Sequence, residues 1–166
     1  MFFNFRHINL FLLLTITISC FVISFSLEAV ESEKNCSTEI FKIDSNFLSS
    51  GFSKCEIIAE NYIKIYVSPE DIDVINPSPW YAFRKSTHNQ KVFVEIFYEK
   101  FKHRYHPKIS IDSLNWDKID SKSFRELEDG KGLLIEFLPF KKETIVSAQE
   151  IISSKWYLNW YKQLSS

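Results

Sequence analysis

The chain has 166 residues, 45% of them hydrophobic and 16% aromatic, with a formal net charge of −1. That length supports one domain plus a terminal appendage. Intermixed charges give no broad electrostatic pull toward nucleic acid or an anionic membrane, and only three Gly exclude a fibrous or low-complexity chain.

Arg6 and His7 precede an apolar run over residues 10–23, and small or polar residues follow (Ser24, Ser26, Ala29). A basic start, a greasy middle and a small-residue exit predict a secretory signal peptide over residues 1–29, helical in its apolar part and cleaved near Ser26 or Ala29. The alternative is a membrane-anchoring segment over residues 8–27, although its apolar run falls short of the roughly 20 residues a spanning helix needs. Lipid attachment at Cys20 is a third reading. The expected location is exported, periplasmic or secreted, with membrane contact only through an uncleaved N-terminal segment. Removal of the signal leaves Cys36 and Cys55. An even pair in an exported chain invites a disulfide, and two buried free thiols are the alternative. Asn35-Cys36-Ser37 is also a glycosylation sequon for a cell that glycosylates.

Residues 36–166 predict one β-sandwich domain. Residues 40–44 form a short apolar strand, and Ser49-Ser50-Gly51 a turn. In residues 62–67, Ile63, Ile65 and Val67 point one way and Tyr62, Lys64 and Tyr66 the other. Pro69, Pro77 and Pro79 make residues 68–79 an extended loop before a strand at 80–84. Residues 92–98 are apolar on both faces except at Glu95, which predicts a central strand covered on two sides. Further short strands are expected at 108–112, at 118–119 after a turn, at 133–138 after an Asp129-Gly130 hairpin turn, and at 144–148. With a turn about every ten residues and no long helical pattern between strands, the fold class is all-β, an antiparallel sandwich. One short C-terminal α-helix is added, capped by Ser153 or Ser154 and starting at Lys155. Its Trp156, Trp160 and Leu164 share a stripe that is expected to pack on the sandwich, the alternative being a surface that docks another domain.

Little of this sequence is arranged for catalysis. His103 and His106 stand three apart in an extended segment, where such residues face opposite ways, so a shared metal is not expected. No His is followed three residues later by Glu, and neither a nucleophile elbow nor a phosphate cradle occurs. No cofactor is expected. Arg84, Arg104 and Lys108 are suited to holding a carboxylate, either a structural one such as Glu95 or Asp112 or one that belongs to a partner.

Asn-Pro-Ser-Pro-Trp-Tyr-Ala-Phe-Arg at 76–84 resembles the Asn-Pro-x-x-Trp-Tyr-x-Phe phrase in the N-terminal domain of cytosolic-type zinc carboxypeptidases. His-Arg-Tyr-His-Pro-Lys-Ile-Ser at 103–110, Trp116, and Ser-Ala-Gln-Glu-Ile-Ile at 147–152 follow in the order that bacterial relatives show. The resemblance implies a small antiparallel sandwich that packs against a zinc peptidase domain. The family's zinc ligands and general base have no counterpart in these 166 residues, so no catalytic residue is carried over. The implied role is a non-catalytic interaction module for a carboxypeptidase catalytic domain or another exported protein, with no nucleic-acid partner. Trp80, Tyr81, Arg84, His103, Arg104 and Tyr105 are the candidate contact residues. A free-standing binder of peptides or glycans and a remnant of a truncated carboxypeptidase are the alternatives.

Overall fold

A computed structural model of the chain describes residues 34–69, 80–140 and 142–165. The expected signal segment over residues 1–29 lies outside these, as do residues 76–79 of the Trp-Tyr phrase. The strands are β1 (Asn35–Ser37), β2 (Phe41–Asp44), β3 (Lys54–Ala59), β4 (Tyr62–Val67), β5 (Ala82–Thr87), β6 (Val92–Tyr98), β7 (Lys108–Ser110), β8 (Asp117–Lys118), β9 (Phe124–Glu126), β10 (Gly132–Phe137) and β11 (Thr144–Ser147). One helix, α1 (Ser154–Leu164), follows them. The first sheet has six strands in the order β1-β2-β5-β11-β7-β8, and the second has five in the order β3-β4-β6-β10-β9.

Alternation decides which side chains meet between the sheets. Every second residue of β4 and β6 is buried, so Ile63, Ile65, Val94 and Ile96 project to one side. Leu133 and Ile135 of β10 join them, and Ile43, Phe83 and Val146 of the first sheet close the core from opposite. All nine are fully buried. Their removal from water is the main favourable contribution to folding, on the order of 2 kcal/mol per side chain.

Two expectations are corrected. First, the pairing is not wholly antiparallel: β4 and β6 run parallel, with Ile63 opposite Val94 and Ile65 opposite Ile96. The chain leaves the second sheet after β4, forms β5 in the first, and returns as β6 in the original direction. Second, the Trp stripe of α1 does not pack into the core. Ser153 caps the helix through its hydroxyl, which accepts from the Trp156 N–H at 3.1 Å, but no residue of α1 is buried. Trp160, Leu158 and Leu164 are exposed.

A disulfide joins Cys36 of β1 to Cys55 of β3, with Cα atoms 6.1 Å apart. These strands are the first in each sheet's order, so the bridge clasps the two sheets together at one edge. The Asp-Gly hairpin turn lies between β9 and β10. Asp129 and Gly130 both adopt positive φ, 68° and 67°, the left-handed geometry that Asp tolerates and Gly favours.

Candidate functional site

Three phrases far apart in sequence converge on adjacent strands. β5 carries the end of the Trp-Tyr phrase, β7 the end of the His-Arg-Tyr phrase, and β11 the start of the Ser-Ala-Gln phrase; β11 lies between the other two. Ile145 sits opposite Arg84 on one side and Ser110 on the other. The Ala148 N–H donates to the Tyr81 carbonyl at 2.9 Å, so the third phrase fixes the backbone of the first.

The candidate contact residues do not form one surface. Tyr81 is fully buried, stacked on Phe83 and edge-on to Tyr98. Burial pushes its hydroxyl well above the usual tyrosine range, and that oxygen has no hydrogen-bond partner. It is a core residue rather than a surface contact. Trp80 is half-buried against the core and lies close over Gly51. The Arg84 guanidinium rests between two carboxylates, 4.0 Å from Asp44 and 3.3 Å from Glu143, and over the Phe47 ring. Its Nε is near enough to Glu143 for an ion pair but is not aligned for a hydrogen bond. The carboxylates expected for it are engaged elsewhere. Glu95 pairs with Lys64, while Asp112 accepts from the N–H groups of Leu114 and Asn115, which hold it well below the usual carboxylate range. Lys108 pairs with Glu150 at 2.7 Å.

His103 and His106 take separate partners. The His103 Nδ1 lies 2.9 Å from the Tyr98 hydroxyl, and burial lowers its affinity for a second proton. The His106 Nε2 is 2.8 Å from the Ile119 carbonyl, to which it donates, and its ring stands edge-on to Phe124. Arg104 is exposed and donates to the Tyr105 hydroxyl at 3.0 Å; Tyr105 packs partly against the core. Among the described residues, no group of three His, Cys, Asp or Glu is placed to hold a metal.

The sequence reading passed over the outer face of the second sheet. The register places Tyr62 beside Phe93, Lys64 beside Glu95, and Tyr66 beside Phe97. Both aromatic pairs meet edge to face, at 6.4 Å and 5.6 Å between centroids. Between them the Lys64 ammonium lies 2.9 Å from Glu95 and 4.5 Å from the Phe97 centroid. Tyr62 hydrogen-bonds to Glu95 and Tyr66 to Glu56. Burial of Tyr62 and the Glu56 acceptor at Tyr66 push both hydroxyls up to about 12. All six residues are half-buried. A pocket of about 250 Å³ adjoins them, lined by Phe93, Phe124, Leu134, Arg125 and Glu136. The alternation of 62–67 was a sufficient signal for this row, since it set Tyr, Lys and Tyr on the side away from the core.

Known structures share this architecture. The fold is that of a part of bacterial metallo-carboxypeptidases. A metallo-carboxypeptidase from Burkholderia cenocepacia is similar over 76% of this chain and 33% of its own, at 14% identity and a TM-score of 0.54. Structures described as a putative carboxypeptidase from Burkholderia mallei and a putative carboxypeptidase A from Shewanella denitrificans are similar at 16% and 18% identity, with TM-scores of 0.52 and 0.54. This chain spans about a third of the length of each. No family model and no curated protein matches the sequence.

Proposed function

We propose that the sandwich is a non-catalytic interaction module that docks a metallo-carboxypeptidase catalytic domain through the outer face of its second sheet. The observation that carries this reading is the half-exposed row of Tyr62, Phe93, Tyr66 and Phe97 around the Lys64–Glu95 pair. Aromatic rings with polar tips around one fixed charge pair are the chemistry of an interface core, where Tyr and Phe are enriched. Support for the partner's class comes from the shared fold, which accounts for only about a third of the carboxypeptidase chains it matches. The Cys36–Cys55 bridge favours an oxidising, exported location for the pair.

A photo-crosslinking residue in place of Phe93, used in the producing cell, tests this directly. Mass spectrometry of the adduct is expected to identify a zinc carboxypeptidase domain, and Lys64→Glu is expected to reduce the yield at least tenfold. Adducts that contain no metallopeptidase would refute the reading.

A further inference from the structure

Helix α1 buries none of its eleven residues. Its aromatic side chains nevertheless gather on one side of the axis. At 3.6 residues per turn, Trp156, Trp160 and Leu164 form one line, with Tyr157 and Tyr161 beside it. Lys155, Asn159 and Lys162 lie on the other side together with Leu158, and Gln163 falls beside Trp156. The aromatic face is ordered within itself: Trp156 and Trp160 stack at 6.3 Å between centroids, and Tyr157 meets Trp160 at 5.7 Å.

Three features say what covers this face. Four of its five large side chains are Trp or Tyr, which carry a polar N–H or O–H at the edge of an apolar ring. Such residues are enriched in the belts at the boundary between water and acyl chains, as they are in protein interfaces, and the charge around them separates the two. Charge is the second feature. Residues 151–165 contain Lys155 and Lys162 and no Asp or Glu, and the preceding Glu150 is neutralised by Lys108. The helix is therefore a local cationic patch on a chain whose overall charge is close to zero. Third, eleven residues span only about 16 Å, too short to cross a bilayer but long enough to lie along one.

We infer that α1 is an interfacial helix that seats its Trp156–Trp160–Leu164 face on an anionic lipid surface, with Lys155 and Lys162 at the headgroups. Its face points to lipid whether or not the second sheet docks a peptidase. Membrane contact would then not depend on the N-terminal segment alone.

Trp quenching separates this helix from any binding by residues 8–27. The full chain is mixed with vesicles of phosphatidylcholine and phosphatidylglycerol that carry brominated acyl chains, which quench only Trp residues inserted at their depth. Trp80 and Trp116 belong to the sandwich and serve as internal controls. Quenching is expected in the wild-type chain and is expected to disappear in the Trp156→Phe/Trp160→Phe variant, even if that variant still sediments with the vesicles. Lys155→Glu/Lys162→Glu should weaken the quenching isotherm by at least about tenfold, since each basic residue near an anionic leaflet contributes about 1 kcal/mol. Because α1 buries nothing, neither variant should change the unfolding midpoint of the sandwich. Equal quenching in wild type and the Trp double variant would overturn the inference. So would unquenched wild-type emission in a chain that self-associates through Trp156 and Trp160, since that face would then be a protein interface.

Discussion

The side-chain amine of Lys85 lies 4.8 Å from the centroid of the Phe137 ring, inside the core. Lys85 is 1% exposed and sits across from Ile43 on one side and Thr144 on the other. Among the described residues no carboxylate pairs with it, and the Thr144 hydroxyl also has no partner. Burial pushes the amine down to about 8. A group whose folded proton affinity is depressed below 10.5 favours the unfolded state whenever it is protonated. Stability should therefore rise as pH climbs from about 8 to about 10.5. The raised tyrosines act in the opposite sense, because their stabilisation is lost as pH rises above 10 toward 12. An optimum near pH 10 is the expected outcome. Lys85→Met, which keeps the length and removes the charge, should stabilise the chain at pH 7 by roughly 1–3 kcal/mol and flatten its slope between pH 8 and 10. Urea unfolding across that range checks both effects. A less stable variant with the wild-type slope would contradict the burial account.

The Cys36–Cys55 bridge closes a loop with a sequence separation of 19 and joins β1 to β3. Constraint of the unfolded chain over such a loop is worth about 3 kcal/mol. Cys36→Ala/Cys55→Ala should lower the unfolding midpoint by roughly 10 °C, and reductant should have the same effect on the wild type and none on the variant. A wild-type midpoint unmoved by reductant would show that strand pairing, not the bridge, holds the two edges together.

Lys85 and the Cys36–Cys55 bridge also show what the sequence made legible. Parity alone would have found Lys85: Tyr81, Phe83, Lys85 and Thr87 alternate, so a lysine stands where the core side of β5 runs. The same alternation made β4 and β6 readable, because each has one buried face. Edge strands had no such signature. β3 exposes Ile57, Ile58 and Ala59, and β9 has only three residues with none buried, so neither strand was foreseen. The parallel pairing of β4 with β6 was hidden because it depends on the route of the chain through the other sheet. The α1 stripe was read correctly as apolar, but it is not buried on the sandwich as expected, since periodicity identifies a face without saying what covers it. The disulfide was one of two open readings. Only the three-dimensional meeting of β1 and β3 decided between them.

Gly51 is required by a close approach rather than by its backbone angle. It exchanges two 2.9 Å backbone hydrogen bonds with Ala82, and a Cβ at this position would lie 2.7 Å from Trp80 Cδ1. Trp80 is wedged against the core and has little room to yield. Gly51→Ala should cost about 1–3 kcal/mol of stability through overpacking. In a Trp80→Phe background, the smaller ring should reduce that cost to below about 1 kcal/mol. Equilibrium unfolding of the four members of this cycle reads the coupling directly, and additive effects would separate the Gly51 requirement from Trp80.

Tyr98 and His103 form the most buried polar pair of the candidate contact segment. The Tyr98 side chain is fully buried, and burial pushes its hydroxyl well above the usual range, so it is a neutral donor to the His103 Nδ1 at 2.9 Å. That bond requires an unprotonated Nδ1, consistent with the direction in which burial moves His103. A histidine whose proton affinity is lowered in the folded state contributes stability above pH 6.5 and loses it as the pH falls. His103→Phe removes the acceptor and leaves a second unpaired tyrosine hydroxyl in the core beside that of Tyr81. The expected loss at pH 8 is about 1–3 kcal/mol. Tyr98→Phe removes the donor instead, and the half-buried imidazole still reaches water, so a loss below about 1 kcal/mol is expected. Tyr98→Phe should lose less stability than the wild type as pH falls from 6.5 to 5, because without the hydroxyl donor protonation of His103 costs less. His103→Phe should lose the histidine-dependent part of that slope altogether. Denaturant unfolding at pH 5 and pH 8 measures each effect. If Tyr98→Phe proved the costlier change, or if the acid slope persisted in His103→Phe, the pairing would not be the source of the stability assigned to it.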